Sequence, residues 1–218
     1  MLRGRWDEAE RRLRSLLARD ADPGANLANP LALLGRIFLR RGIPAARDLI
    51  DRAWRVAAAT GKTQKMAIAT GARLELAWLT GCDADVRAVG TEVLDLATSA
   101  RHSYLHGEAL RFLRRIGESV PHLPPFSGCP PPLTAGVSGD WQPTAALWEK
   151  ASNPCEQALE LVESSDLNTV RDGLAILDGL GAVAAGAIVR RTLRTRGVRG
   201  VRGVPSGPRT SSRATPAA

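Results

Sequence analysis

Gly42-Ile43-Pro44-Ala45-Ala46-Arg47-Asp48-Leu49-Ile50-Asp51-Arg52-Ala53-Trp54-Arg55-Val56-Ala57-Ala58-Ala59-Thr60-Gly61 reads as a glycine turn, one amphipathic helix and a second glycine stop. Ala46, Leu49, Ile50, Ala53 and Trp54 fall at i, i+3 and i+4 steps, which puts them on one face of a 3.6-residue period. The same device recurs on both sides. Gly4, Gly42 and Gly81 stand 38 and 39 residues apart, each ahead of a short polar turn and an amphipathic stretch. After Gly4 the inward candidates are Ala9, Leu13, Leu16 and Leu17; after Gly81 they are Val86, Val89, Val93 and Leu94. A period near 38 with two helices per period predicts a tetratricopeptide-like helical-hairpin array. The chain opens on the turn before its first repeat helix, so the first hairpin is expected to be incomplete, with a second helix that lacks its partner.

The rest of the chain keeps the helical rhythm. Leu31, Leu34, Ile37 and Phe38 repeat it, and so do Leu105, Ala109, Phe112, Leu113 and Ile116. Aromatics are only 4% of the chain against 44% apolar residues overall, so burial must come mainly from Ala, Leu, Ile and Val, and no period-2 run of β-branched residues appears. The fold class is therefore all-α. Asn29-Pro30 and Asn153-Pro154 each offer a capping side chain ahead of a proline at the first helical position, with Glu156 placed to reach back to its cap, and Asp166 caps a further start. Stops are expected at Gly42, Gly61, Gly81, Gly117 and Gly181.

Residues 119–132 carry six prolines and predict an extended connector. The organisation that follows is a hairpin array over 1–118, the connector over 119–132, a C-terminal helical subdomain over 133–196, and a disordered Gly/Pro/Arg linker over 197–218. The subdomain should hold a short helix up to Gly139, one from Thr144 to Lys150, and three near 154–163, 167–179 and 182–196.

The net charge of +8 is not spread over the molecule. Beyond Asp178, the last acidic residue, lie Arg190, Arg191, Arg194, Arg196, Arg199, Arg202, Arg209 and Arg213, which leaves residues 1–189 with 22 basic against 22 acidic side chains. The body is neutral, and only its basic end could attract phosphate backbone. No aromatic residue is interleaved there, so sequence-specific DNA binding is not expected. The N-terminus lacks an apolar signal core, the run 180–189 is too short to span a bilayer, and three cysteines cannot make a disulfide framework. The expected compartment is the cytoplasm, with reduced thiols and no membrane.

No catalytic, cofactor-binding or metal-ligating residue is predicted. Gly61-Lys62-Thr63 imitates the end of a phosphate loop, but position 56 is Val where the motif needs glycine, and a helix precedes it in place of a strand. His102 and His106 have an i, i+4 metal spacing without a third ligand nearby; His122 lies in the connector, and Cys82, Cys129 and Cys155 are isolated. Trp6, Trp54, Trp78, Trp141 and Trp148 are read as packing between helices. With no nucleophile–base pair to assemble, an enzyme is disfavoured, and the face of the array is expected to take a protein partner or inducer.

The second half resembles a known family. Gly139-Asp140-Trp141 with Ala145-Ala146-Leu147-Trp148-Glu149-Lys150, then Asn153-Pro154-Cys155-Glu156-Gln157-Ala158-Leu159, Ala175-Ile176-Leu177-Asp178-Gly179-Leu180-Gly181-Ala182 and Val189-Arg190-Arg191-Thr192-Leu193-Arg194, is similar to the segment ahead of the helix-turn-helix in large ATP-binding LuxR-type transcriptional regulators. The likeness is specific over 139–210 and looser over the repeats. It implies a tetratricopeptide-like region that senses an inducer or partner and couples it to oligomerisation. The chain carries neither the ATPase module nor the DNA-binding domain of that plan, so the resemblance implies a non-catalytic regulatory segment of such a regulator, a fragment. The alternative is a freestanding tetratricopeptide-like protein-interaction adaptor.

Overall fold

Alternation of apolar stripes with glycine stops gives helices and no strand among the described residues, which in this computed structural model are 4–19, 25–120, 128–195 and 197. In chain order they are α1 (Trp6–Arg19), α2 (Ala28–Arg41), α3 (Ala46–Ala59), α4 (Thr63–Thr80), α5 (Asp83–Ser99), α6 (Ser103–Arg115), α7 (Pro131–Ser138), α8 (Trp141–Lys150), α9 (Pro154–Leu161), α10 (Leu167–Gly179) and α11 (Val183–Thr195), with a 3-10 turn at Ala25–Leu27 before α2. No described helix is long and apolar enough to cross a membrane. The expected disordered linker lies, Gly197 apart, outside the described residues, as do residues 121–127 with His122.

The repeat expected from the glycines is present in the packing. α3 buries Ala46, Ile50, Ala53 and Ala57, and α5 buries Val86, Gly90, Val93 and Ala97, the same spacing shifted by one residue relative to Gly42 and Gly81. These two helices show one buried stripe. By contrast α2, α4 and α6 are buried on most sides, because α2 packs on α4 and α4 on α6 while α1, α3 and α5 lie outside them. In α1, Ala9, Leu13 and Leu17 pack on the core, but Leu16 is 51% exposed: α2 is its main neighbour, and the stripe narrows.

The α2, α4 and α6 layer is not left open. α11 packs against α2 and α4, α7 packs against α6, and α9 is joined to α2 and α6 by ion pairs. A single buried cluster runs from Trp6 through α2, α3 and α4 to Cys155, Leu159, Leu174, Leu177, Ala185 and Val189. A second cluster joins α4, α5 and α6 through Leu74, Val86, Val93, Leu105 and Phe112. The first core therefore does not break at the proline-rich connector. The turn before α1 is covered by the same chain: a Cβ on Gly4 would lie 2.8 Å from Leu180 Cδ2 and 3.1 Å from Pro154 Cγ.

Helix ends largely follow the sequence, with local differences; α8 begins at Trp141, ahead of the expected Thr144, and the Glu156 carboxylate turns to Arg40 and Arg111 in place of its cap. Asn153 accepts from the Glu156 backbone N–H with Pro154 in the first turn, and Asp166 accepts from the N–H groups of Asn168 and Thr169. Asn29 does not cap α2: the 3-10 turn runs straight into the helix, moves its start back to Ala28, and leaves Asn29 Oδ1 buried without a partner. Pro30 is tolerated there because first-turn N–H groups have no intrahelical acceptor anyway. The connector is shorter than its prolines suggest, since Pro131 and Pro132 form the first turn of α7.

Candidate functional site

Charged side chains form the most distinctive feature of the interior. Arg36 and Arg40 of α2, Glu75 of α4, Glu108 and Arg111 of α6, and Glu156 and Glu160 of α9 are all buried. With Arg115 they form one row that alternates in sign. Glu108 accepts from Arg36 Nη2 (3.0 Å), and Arg36 Nε donates to Glu75 Oε2 (2.6 Å). Arg40 Nε donates to Glu75 Oε1 (2.5 Å) and its Nη2 to Glu156 Oε1 (2.8 Å). Both terminal nitrogens of Arg111 reach Glu156 Oε2 (3.4 Å), and its Nη2 donates to Glu160, which also accepts from Arg115 Nη2 (3.0 Å). Gly71 keeps the passage of α4 past α6 narrow enough for this: a Cβ there would lie 2.3 Å from Glu108 Oε2.

Burial alone would push a carboxyl pKa up. In Glu156 that effect is the largest single one, yet Arg40, Arg111, Arg115 and Arg36 together outweigh it and hold the carboxyl down at about 2. Glu75 is lowered for the same reason, by Arg40 and Arg36 against its own burial. Cys155, buried beside the row, has its thiol pushed up to about 12, mainly by burial. These carboxylates stay charged and the thiol stays protonated, so the row serves as a joint between the repeat helices and α9.

At its Arg115 end the row reaches an open cleft of about 380 Å³ between the ends of α4 and α6 and the outer turns of α11. Arg115 and Arg191 face it from opposite elements, with Trp78, Ile188 and Thr192 as further walls and Asp83 at the rim. A narrow inner pocket of about 40 Å³, walled by Leu159, Val162, Val189 and Leu193, shares Trp78, Arg115 and Thr192 with it. The Arg115 guanidinium stacks on Trp78 (5.4 Å), and Arg191 lies against Gly81, whose backbone has φ +75° and where a Cβ would sit 1.8 Å from Arg191 Nη2. The carbonyl ends of α4 and α6 disfavour an anion here by about 0.3–1 kcal/mol each. Of its charged walls, Arg115 is already paired with Glu160, and Arg191 and Asp83 carry opposite charges.

The residues singled out in the sequence are scattered. Gly61 is a left-handed turn after α3, and Lys62 is the extended residue before α4, so the residues ahead of the Gly61-Lys62-Thr63 stretch have their N–H groups bonded within a helix. His102 caps α6, its Nδ1 accepting from the Leu105 N–H, while His106 is buried one turn on and burial lowers its pKa. Cys82 is exposed, Cys129 half-buried and Cys155 buried. Among the described residues no group of three or more His, Cys, Asp or Glu could hold a metal ion. Four of the tryptophans share a role: an arginine lies over Trp6, Trp54, Trp78 and Trp148. Of the C-terminal arginines, Arg190 is engaged within the fold, donating to both carboxylate oxygens of Asp178 (2.8 and 2.6 Å).

No protein-family model, curated protein or solved structure matches the chain.

Proposed function

We propose that this chain is a non-catalytic regulatory segment, of the kind that the resemblance to LuxR-type ATP-binding regulators implies, in which an effector bound to the repeat helices acts on the chain that leaves α11. The observation that supports this reading is the position of α11. It packs on α2 and α4 and forms one wall of the cleft, while the stretch rich in arginine follows its end. A molecule that binds the cleft more tightly in one arrangement of α11 than in another shifts the population between them by that difference in affinity. The non-catalytic part rests on chemistry. Glu75 and Glu156 are tied to arginines and held charged, which makes them poor proton donors and acceptors near neutral pH.

Sequencing the DNA on both sides of the coding region tests this. The reading expects a phosphate-loop ATPase upstream and a helix-turn-helix downstream in the same orientation. Neither on either side contradicts it and leaves the adaptor reading. Titration of ATP and duplex DNA onto the chain is expected to give no site-specific binding.

A further inference from the structure

Past Asp178 the chain carries arginines and no acidic side chain. α11 bears the first of them. Arg190 is tied to Asp178, whereas Arg191 and Arg194 are exposed and make no ion pair among the described residues. The helix leads into Arg196-Gly197-Val198-Arg199-Gly200-Val201-Arg202-Gly203-Val204, one triplet written three times, and then to Arg209 and Arg213. Residues 1–189 carry equal numbers of basic and acidic side chains, so the net charge of +8 is the charge of this end. Asp83, on the same cleft as Arg191, offsets a small part of it.

The composition of this end selects its partner. Arginine presents a planar fork of donors that matches phosphate oxygens. Glycine after each triplet arginine puts no side chain between the backbone and a charged surface. No aromatic residue follows Trp148, so no base can stack here and contact is limited to the sugar-phosphate backbone. Such contact favours the polyanion of highest charge density. Duplex DNA carries one charge per about 1.7 Å of axis, and its binding is driven by counterion release more strongly than that of a single strand. An acidic lipid surface suits this end less, because interfacial segments carry Trp, Phe or Leu beside their basic residues and 194–218 contain none.

We propose that the end of α11 and the triplet stretch after it form an electrostatic, sequence-independent contact with the phosphate backbone of duplex DNA. Arg191 and Arg194 join the contact to the folded body, and Arg196, Arg199 and Arg202 extend it. Successive triplet arginines are at most about 10 Å apart along the chain, a length of duplex with about six charges, so each has a phosphate within reach. This contact goes beyond the regulatory reading and does not depend on it.

The test is fluorescence anisotropy of a labelled duplex of about 16 base pairs, titrated with the full chain between about 50 and 200 mM salt. The proposal expects a Kd of about 10⁻⁴–10⁻⁶ M near about 150 mM salt, equal for two unrelated sequences, and a log K that falls linearly with log salt. Arg199→Gln/Arg202→Gln, which leaves every described residue unchanged, should flatten that slope by about 1.8, and so should Arg191→Gln/Arg194→Gln. A single strand of the same length should bind more weakly, and vesicles containing phosphatidylserine should leave the bound duplex in place. No binding near about 150 mM salt, a slope that either double variant leaves unchanged, tighter binding of the single strand, or displacement of the duplex by the vesicles would overturn the proposal.

Discussion

Glu156 holds three nitrogens on its two carboxylate oxygens, one from Arg40 and two from Arg111. Glu156→Gln leaves both arginines short of charge in a buried place, and breaking such a pair costs about 3–5 kcal/mol. For a chain of this size that is a fall in Tm on the order of 10 °C, measurable by thermal denaturation; Glu118→Gln, which removes an exposed pair with Arg87, should leave Tm nearly unchanged. The sign with pH follows from the lowered pKa. The folded state keeps Glu156 ionised down to about 2 while the unfolded chain protonates near its ordinary 4.5, so this contribution is whole above 4.5 and disappears as pH falls to about 2. The gap in stability between wild type and Glu156→Gln is expected to close over that window. None of this row was read from the sequence, because charged residues are by default assigned to a solvated surface. A signal was present: Arg36/Arg40, Arg111/Arg115 and Glu156/Glu160 are like-charge pairs at i, i+4, unfavourable in an isolated helix and therefore pointing to partners on other helices.

Helix boundaries were the most legible part, because a cap is a local contact between a side chain and its own backbone. Asp166 shows it: its carboxylate accepts from two N–H groups and from the Thr169 hydroxyl at the start of α10, and these bonds hold its pKa below the ordinary value. Asp166→Ala should lower Tm by a few degrees, and Asp166→Asn, which keeps an acceptor, should retain most of the stability; thermal denaturation of the two variants separates them. Asn29 was misread because the decision there lay upstream, in a 3-10 turn that continues into α2. The buried stripes of α3 and α5 were legible from periodicity, whereas the position of Leu16 was not, since it depends on α1 having one neighbouring layer and not two.

Across the molecule, the glycine period predicts the array but not what covers it. Nothing in a 38-residue repeat says that α9 and α11 will return to the α2, α4 and α6 layer; that follows from charges and aliphatic stripes far apart in the chain, such as Arg40 with Glu156 across 116 residues. The cleft is a product of this return, and its two arginines come from opposite sides of the proline-rich stretch. The central claim is that the repeat helices and the C-terminal helices are one cooperative body joined by the buried ion row. Native-state hydrogen exchange in low denaturant measures it directly. The account predicts that the core amides of α2, α4, α6, α9 and α11 exchange through one global opening with a common free energy. Exchange of α9 and α11 at a much lower free energy, with α2, α4 and α6 still protected, would contradict it.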